Sequence, residues 1–308
     1  MKVYHSLWYK PLYDSDSNGF LSGNQKFNGG WYNSEIFFLA WAFSFYKLRE
    51  LYGNVTFIGD KKSKFVIIDQ LGLEYDEYEI SLEEVESKYS KIWAIGKIYT
   101  YRNVPKPFLH FDGDVFIWEK IRPFSAAREL IFQNYEYNES YYKESLFEIN
   151  EKLDFIPKEF KNKHKSSKII SINAGVFGCN SYDFIEEYTD KVLEFISRNS
   201  HCLQLVDQGR LNTVYEQYLC YLLAKKNGIK MTPIHKVSKT NNNFNLNKFT
   251  DFYKVPSSIK YIHPLGFKKR LEIIGVHIHA RFNYEFHQEY QLINSRIKAF
   301  MKNESKFF

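Results

Sequence analysis

Apolar and polar positions along this chain alternate between two rhythms. Val3 to Trp8 is a short apolar and aromatic run that predicts a first strand. Residues 14–30 are rich in Asp, Ser, Asn and Gly and predict a loop. Glu35 to Tyr52 predicts a helix, with Ser34 as its cap and Gly53 as its stop. The pattern then repeats. Asn54 to Asp60 predicts a strand, Lys64 to Leu71 a helix ending at Gly72, and Tyr75 to Ile80 a short strand. A helix around Trp93 to Arg102 precedes the strand Phe108 to Asp112. Such alternation predicts an α/β fold with a mixed, mainly parallel sheet flanked by helices. In these sheets ligands bind beyond the carboxyl ends of the strands.

The second half is less regular. Residues 132–168 are polar and aromatic and predict helical excursions or a flap over a site. Lys168 to Asn180 restores a strand-like run, interrupted by Asn173-Ala174-Gly175. Helices are expected over Asp183 to Ser197 and over Thr213 to Asn227, and residues 238–250 predict a mobile loop. His277 and His279 alternate in a segment that reads as a strand, which would put both imidazoles on one face. The terminal amphipathic segment, Gln291 to Met301, predicts packing, with a dimer or membrane-surface contact as alternatives, so an oligomer is possible.

Composition narrows the class. The chain has 308 residues, 44% apolar and 25% charged, as soluble globular proteins do. Aromatic residues reach 19%, which fits a carbohydrate enzyme but is better explained by a codon bias toward Phe, Tyr, Asn, Lys and Ile. A net charge of +6, spread along the chain, fits an anionic small ligand and argues against a nucleic-acid partner. Three cysteines without ligand-like spacing predict a reducing, cytoplasmic setting. No leader segment is expected, and the most apolar window, Ile36 to Tyr46, is too short for a transmembrane segment.

The chemistry concentrates at Asp112-Gly113-Asp114, where an apolar strand ends. Residues i and i+2 of extended chain point to one side, so both carboxylates can face one ion. Gly113 permits close backbone approach or a sharp turn. Two hard oxygen ligands suit Mg²⁺ or Mn²⁺ holding a diphosphate, the Asp-x-Asp arrangement of nucleotide-sugar glycosyltransferases. The same three residues also read as a surface turn.

Four features follow in one order: Lys97 on the helix before that strand, Asp112-x-Asp114, Asn173-Ala174-Gly175, and His263-Pro-Leu-Gly266-Phe-Lys-Lys269. In these the chain resembles glycosyltransferase family 8, the group of glycogenin and the bacterial lipopolysaccharide galactosyltransferases, over roughly residues 3–275. The resemblance implies a GT-A (Rossmann-like) fold in a single domain over 1–308, with a donor-binding part about 1–120 and an acceptor and catalytic part about 121–308. It also implies a UDP-sugar donor, a Mn²⁺ (or Mg²⁺) cofactor and transfer of a hexose with retention of anomeric configuration.

Asp112, Asp114 and His263 would then be the metal ligands. Lys97, Asp112, Asn173, Ala174, Gly175, Gly266 and Lys269 would bind the donor, with Lys269 on the diphosphate. The family's Pro-Trp after this motif is absent, since Arg270-Leu271 follows, so Lys268 stands as an alternative to Lys269. Two pairs compete for the catalytic position: Asp207-Gln208, which matches the family's Asp-Gln by identity and spacing, and Glu216-Gln217. Asp207 reads equally as a helix cap. The N-terminal Tyr4, His5, Ser6 and Asp60 fall where a nucleotide would lie, or are structural.

The acceptor is open: a glycan, a lipid-linked sugar, a peptide or a small molecule. Two other functions fit the same residues, a non-catalytic sugar-nucleotide or glycan-binding protein on this fold, and a sugar-phosphate nucleotidyltransferase. The latter needs a basic Gly-rich N-terminal loop, and residues 14–30 carry only Lys26.

Overall fold

The computed structural model describes residues 1–13, 28–137, 139–166, 168–236 and 250–303. The loops expected at 14–30 and 238–250 lie almost wholly outside the described residues. Along the chain the elements are β1 (Lys2–Leu7), α1 (Ser34–Tyr52), β2 (Thr56–Gly59), β3 (Glu77–Glu79), α2 (Ile95–Asn103) and β4 (Phe108–Phe111). Then come β5 (Phe116–Ile117), β6 (Leu130–Glu136), α3 (Glu139–Lys152), β7 (Ser171–Cys179) and α4 (Tyr182–Arg198). Next is α5 (Gln208–Thr213), which runs through a π turn (Val214–Tyr218) into α6 (Leu219–Lys226). The last are β8 (Met231–Pro233), β9 (Tyr261–Ile262), α7 (Glu272–Glu285) and α8 (His287–Asn303). The class is α/β, with mixed, mainly parallel strands and flanking helices.

Internal contacts group the chain into two compact units, each assembled from separate stretches. The first comprises Val3–Glu83, Phe111–Ile121 and Asn245–Phe308. Its strands run in the order β3-β2-β1, all parallel, and β5 pairs antiparallel with β9. α1 is buried over most of its length, from Ile36 to Leu48, and packs against β5, α7 and α8. That burial explains the apolar window read from the sequence. The α1 cap is Asn33 and not Ser34: its side chain accepts from the Ile36 amide at 2.9 Å. Gly53 ends the helix at φ 78°, a left-handed conformation that favours glycine.

The second unit comprises Met1–Lys2, Glu84–His110 and Arg122–Phe244. Its strand order is β4-β7-β6-β8, with β6 antiparallel to β7 and parallel to β8. All nine residues of β7 are buried, so Asn173-Ala174-Gly175 continues the strand where an interruption was expected. The register pairs Asn134 with Asn173 and Glu136 with Ser171, with a bulge between Phe132 and Asn134. A bulge re-aims side chains locally.

The strand expected at His277-Ile278-His279 is a helix, α7. Its buried Ile274, Ile278 and Phe282 recur every fourth residue, and burial of that stripe decides the conformation over the local alternation. The two histidines therefore do not share a face. His277 stacks on Phe252, with centroids 5.6 Å apart, and His279 Nδ1 lies 2.9 Å from the Tyr290 hydroxyl.

Among the described residues no helix is long and apolar enough to cross a membrane.

Candidate functional site

In the first unit, Phe111, the last residue of β4, leads into the turn Asp112-Gly113-Asp114, closed by the Val115 amide donating to the Asp112 carbonyl at 3.0 Å. A Cβ on Gly113 would fall 2.1 Å from Cε3 of Trp41, so any larger residue here must displace the Trp41 ring. Trp41 is itself fixed, its indole donating to the Tyr75 hydroxyl at 2.9 Å. The antiparallel register pairs Phe116 with Ile262, which carries His263, one residue beyond β9, back to the turn. His263 Nε2 lies 3.2 Å from Asp114 Oδ1. Asp112, Asp114 and His263 each offer one ligand atom, and these atoms all lie within 4.8 Å of one another.

The following turn, Gly266–Arg270, brings Lys269 onto the same carboxylate, with Nζ against Asp114 Oδ2. The Lys269 ammonium also sits over Trp31, 5.6 Å from the ring centroid. The Lys268 ammonium instead lies over Phe267. Gly266 has φ 52°, and a Cβ there would meet nothing within 4 Å, so it is backbone conformation, not space, that favours glycine. Burial pushes the Asp114 carboxyl up, but the Lys269 ammonium and the His263 imidazole outweigh it and hold it well below the usual carboxylate range. The neighbouring cations thus favour the charged form of Asp114. Two carboxylates and an imidazole at this spacing fit a divalent cation such as Mn²⁺ or Mg²⁺, with coordination positions left for other oxygens.

A separate polar group forms in the second unit. Lys97, on α2, contacts the Ala174 carbonyl at 3.3 Å and Glu216 Oε1 at 2.5 Å. Both partners are largely buried, their side chains 15% and 7% exposed. Asn173 accepts from the Gly175 amide at 3.0 Å and donates to Glu136 Oε1 at 2.9 Å. The Glu136 carboxylate also accepts from the Tyr142 hydroxyl at 2.7 Å. With its amide nitrogen turned inward, Gln217 has three acceptors for its two N–H groups: Ile172 O at 2.9 Å, and Glu136 Oε2 and the Tyr142 hydroxyl at 3.2 Å each. Glu216 and Gln217 lie in the π turn between α5 and α6, a geometry common at functional positions.

The rival pair is placed differently. Asp207 is exposed and caps α5, accepting from the Arg210 amide at 3.0 Å, with the Arg210 side chain 3.6 Å from its other oxygen. Gln208 donates to the Leu203 carbonyl at 3.4 Å. Of the four residues, the structure gathers only Glu216 and Gln217 with Lys97, Asn173 and Ala174. Glu136 and Tyr142 were missed from sequence because they lie in the segment read as an excursion or flap. The apolar run Leu130-Ile131-Phe132 was the available sign of a strand there.

Of the N-terminal positions, His5 and Asp60 make bonds within the fold. Buried His5 lies between the Tyr75 hydroxyl at 2.8 Å and Ser44 Oγ at 3.2 Å, and burial lowers its pKa to about 3. Asp60 caps the helical turn Lys61–Lys64 in a reciprocal box with Ser63 and accepts from the Tyr9 amide at 2.9 Å.

A family model described as "Family of unknown function (DUF6734)" matches residues 1–296. No curated protein matches the sequence. Among solved structures, mouse xyloside xylosyltransferase 1 in its apo form is similar at 10% identity with a TM-score of 0.40, over 85% of this chain and 96% of that one.

Proposed function

We propose that this chain, which belongs to the DUF6734 family, is a divalent-metal-dependent GT-A glycosyltransferase that moves a hexose from a UDP-sugar to an acceptor. The observation that carries this reading is the convergence of Asp112, Asp114 and His263 within 4.8 Å, with Lys269 on the Asp114 carboxylate. These residues come from segments about 150 positions apart in sequence, and a mere surface turn would need only the two aspartates.

In this reading Asp112, Asp114 and His263 would hold Mn²⁺ or Mg²⁺. When bound, the ion supplies a Lewis acid that neutralises charge on a diphosphate. Asp114 keeps its charge for that task because its neighbours suppress protonation. Lys269, now on the Asp114 carboxylate, would place its ammonium to offset the negative charge that develops on departing UDP. Gly266 leaves backbone amides open to phosphate.

In the second unit, Asn173, whose amide bonds Gly175 and Glu136, would turn its remaining donor and acceptor capacity to sugar hydroxyls. We assign the catalytic position to Glu216-Gln217 in preference to Asp207-Gln208. Glu216 is buried with its charge held by Lys97, and a water-poor setting strengthens its action on a developing positive charge. The Asp207 carboxylate is already committed to its helix. Retention of configuration rests on the family 8 resemblance.

The test is nucleotide release from a panel of UDP-, GDP- and dTDP-sugars, with Mn²⁺ and with EDTA, for the wild type and Asp114→Asn. Mn²⁺-dependent UDP release from one sugar, lost in the variant, supports the assignment and identifies the donor. Neither turnover nor calorimetric UDP binding with any metal overturns it.

A further inference from the structure

We propose that Asp154, His201 and Cys202 form a second metal site in this chain, suited to Zn²⁺. This inference is independent of the glycosyltransferase reading. Each of the three offers one ligand atom, and these atoms lie within 4.8 Å of one another. The set mixes nitrogen, sulfur and oxygen, whereas the Asp112 group offers oxygen and nitrogen alone. A thiolate with an imidazole is a borderline-soft donor pair that favours Zn²⁺ over Mg²⁺ or Mn²⁺.

The site is built on a fixed frame. Asp154 follows the end of α3, and His201 and Cys202 follow the end of α4. Asn199, fully buried, ties these two ends together. Its Oδ1 accepts from the Phe155 amide at 2.9 Å, and its Nδ2 donates to the Phe155 and Phe195 carbonyls at 2.8 Å each. The Asn199 carbonyl accepts from the Cys202 amide at 2.9 Å and from its thiol at 3.3 Å. The neighbours on both sides of the site are therefore held before any ion arrives, which limits the ordering entropy of binding.

Two of the three ligands already meet. A ring nitrogen of His201, Nε2, lies 2.6 Å from Asp154 Oδ2, although both side chains are exposed, at 63% and 73%. The Cys202 sulfur sits beneath them, buried. Binding replaces the thiol proton with a metal–sulfur bond and releases that proton to solvent. A thiolate and a carboxylate then balance the two charges of Zn²⁺. With three protein ligands and a water, the coordination matches that of an open zinc site. Such an ion would fasten the end of α3 to the segment that leads into α5 and the π turn carrying Glu216.

The experiment is a Co²⁺ titration of the reduced full-length protein, read by the thiolate-to-Co²⁺ charge-transfer band in the near ultraviolet. Co²⁺ stands in for Zn²⁺, and the sulfur band ignores any ion at Asp112, Asp114 and His263. Expected is a saturable band displaced by Zn²⁺ and absent from Cys202→Ser. His201→Gln and Asp154→Asn, both at exposed side chains outside the core, weaken Co²⁺ binding by at least the roughly 10–100-fold that loss of supporting groups costs. No band with all thiols reduced overturns the proposal, as does a band that survives in Cys202→Ser or is unchanged in both exposed variants.

Discussion

Lys97 and Glu216, 119 positions apart in the sequence, meet in the interior of the second unit with Nζ 2.5 Å from Oε1. The pair spans α2 and the π turn, and it brings Ala174 of β7 under the same ammonium at 3.3 Å.

Breaking this pair on one side leaves a charge buried without its partner. Lys97→Met or Glu216→Leu is expected to lower stability by about 3–5 kcal/mol in urea unfolding, and the double variant to recover most of that loss. A double-mutant cycle showing no coupling would remove the pair from the account of the fold.

Gly113→Ala tests the fit of α1 against the Asp112-Gly113-Asp114 turn. The new methyl would have to displace Trp41, at an expected cost of about 1–3 kcal/mol in stability. Mn²⁺ affinity is expected to fall as well, because Asp112 and Asp114 flank the shifted residue. Calorimetric Mn²⁺ binding at a temperature where the variant is folded separates the two effects.

Glu136 accepts from three donors at once, from Tyr142, Asn173 and Gln217. In Glu136→Gln one amide N–H must face a donor, and a hydrogen bond to a charged group is worth about 1.5–3 kcal/mol. Sugar release from UDP-sugar is expected to drop by about one to two orders of magnitude. UDP binding at the Asp112, Asp114 and His263 group is expected to hold. Equal loss of both would assign Glu136 to general stability.

His5 gives a pH dependence whose sign is fixed. Burial lowers its folded pKa from 6.5 to about 3, so the unfolded chain binds its proton first. Its contribution is complete above pH 6.5 and is lost progressively as pH falls toward 3. His235, lowered to about 4 by burial, acts in the same sense. Urea midpoints from pH 7.5 to 5 are expected to fall on acidification, and His5→Gln is expected to flatten that fall without abolishing it. An unchanged slope in the variant would show that His5 is accessible to protons in the folded protein.

The candidate site was legible where its residues are adjacent in sequence. The apolar run into Asp112-Gly113-Asp114 announced a strand end with paired carboxylates, and the strand–helix alternation before it announced the α/β class. The choice between Lys268 and Lys269 was not legible, because both stand in one short turn and only its three-dimensional course sends Lys269 to Asp114. Likewise Asp207-Gln208 matched by identity and spacing, yet its carboxylate is taken up by a helix cap. His277 and His279 misled for a related reason. Local alternation is a weak force, and the buried stripe of Ile274, Ile278 and Phe282 overrides it.

What the sequence by itself determined is the set of local preferences: which stretches extend, which coil, and that two aspartates with a glycine between them end a buried strand. These follow from the periodicity of apolar positions and from the turn chemistry of a few residues. Only the tertiary structure decided which distant side chains share a charge. The pairing of Phe116 with Ile262 brings His263 to Asp114, and the register of β6 against β7 seats Glu136 beside Asn173. Strand register and helix packing are set by the burial of whole faces summed over many residues, so no short stretch of sequence contains them.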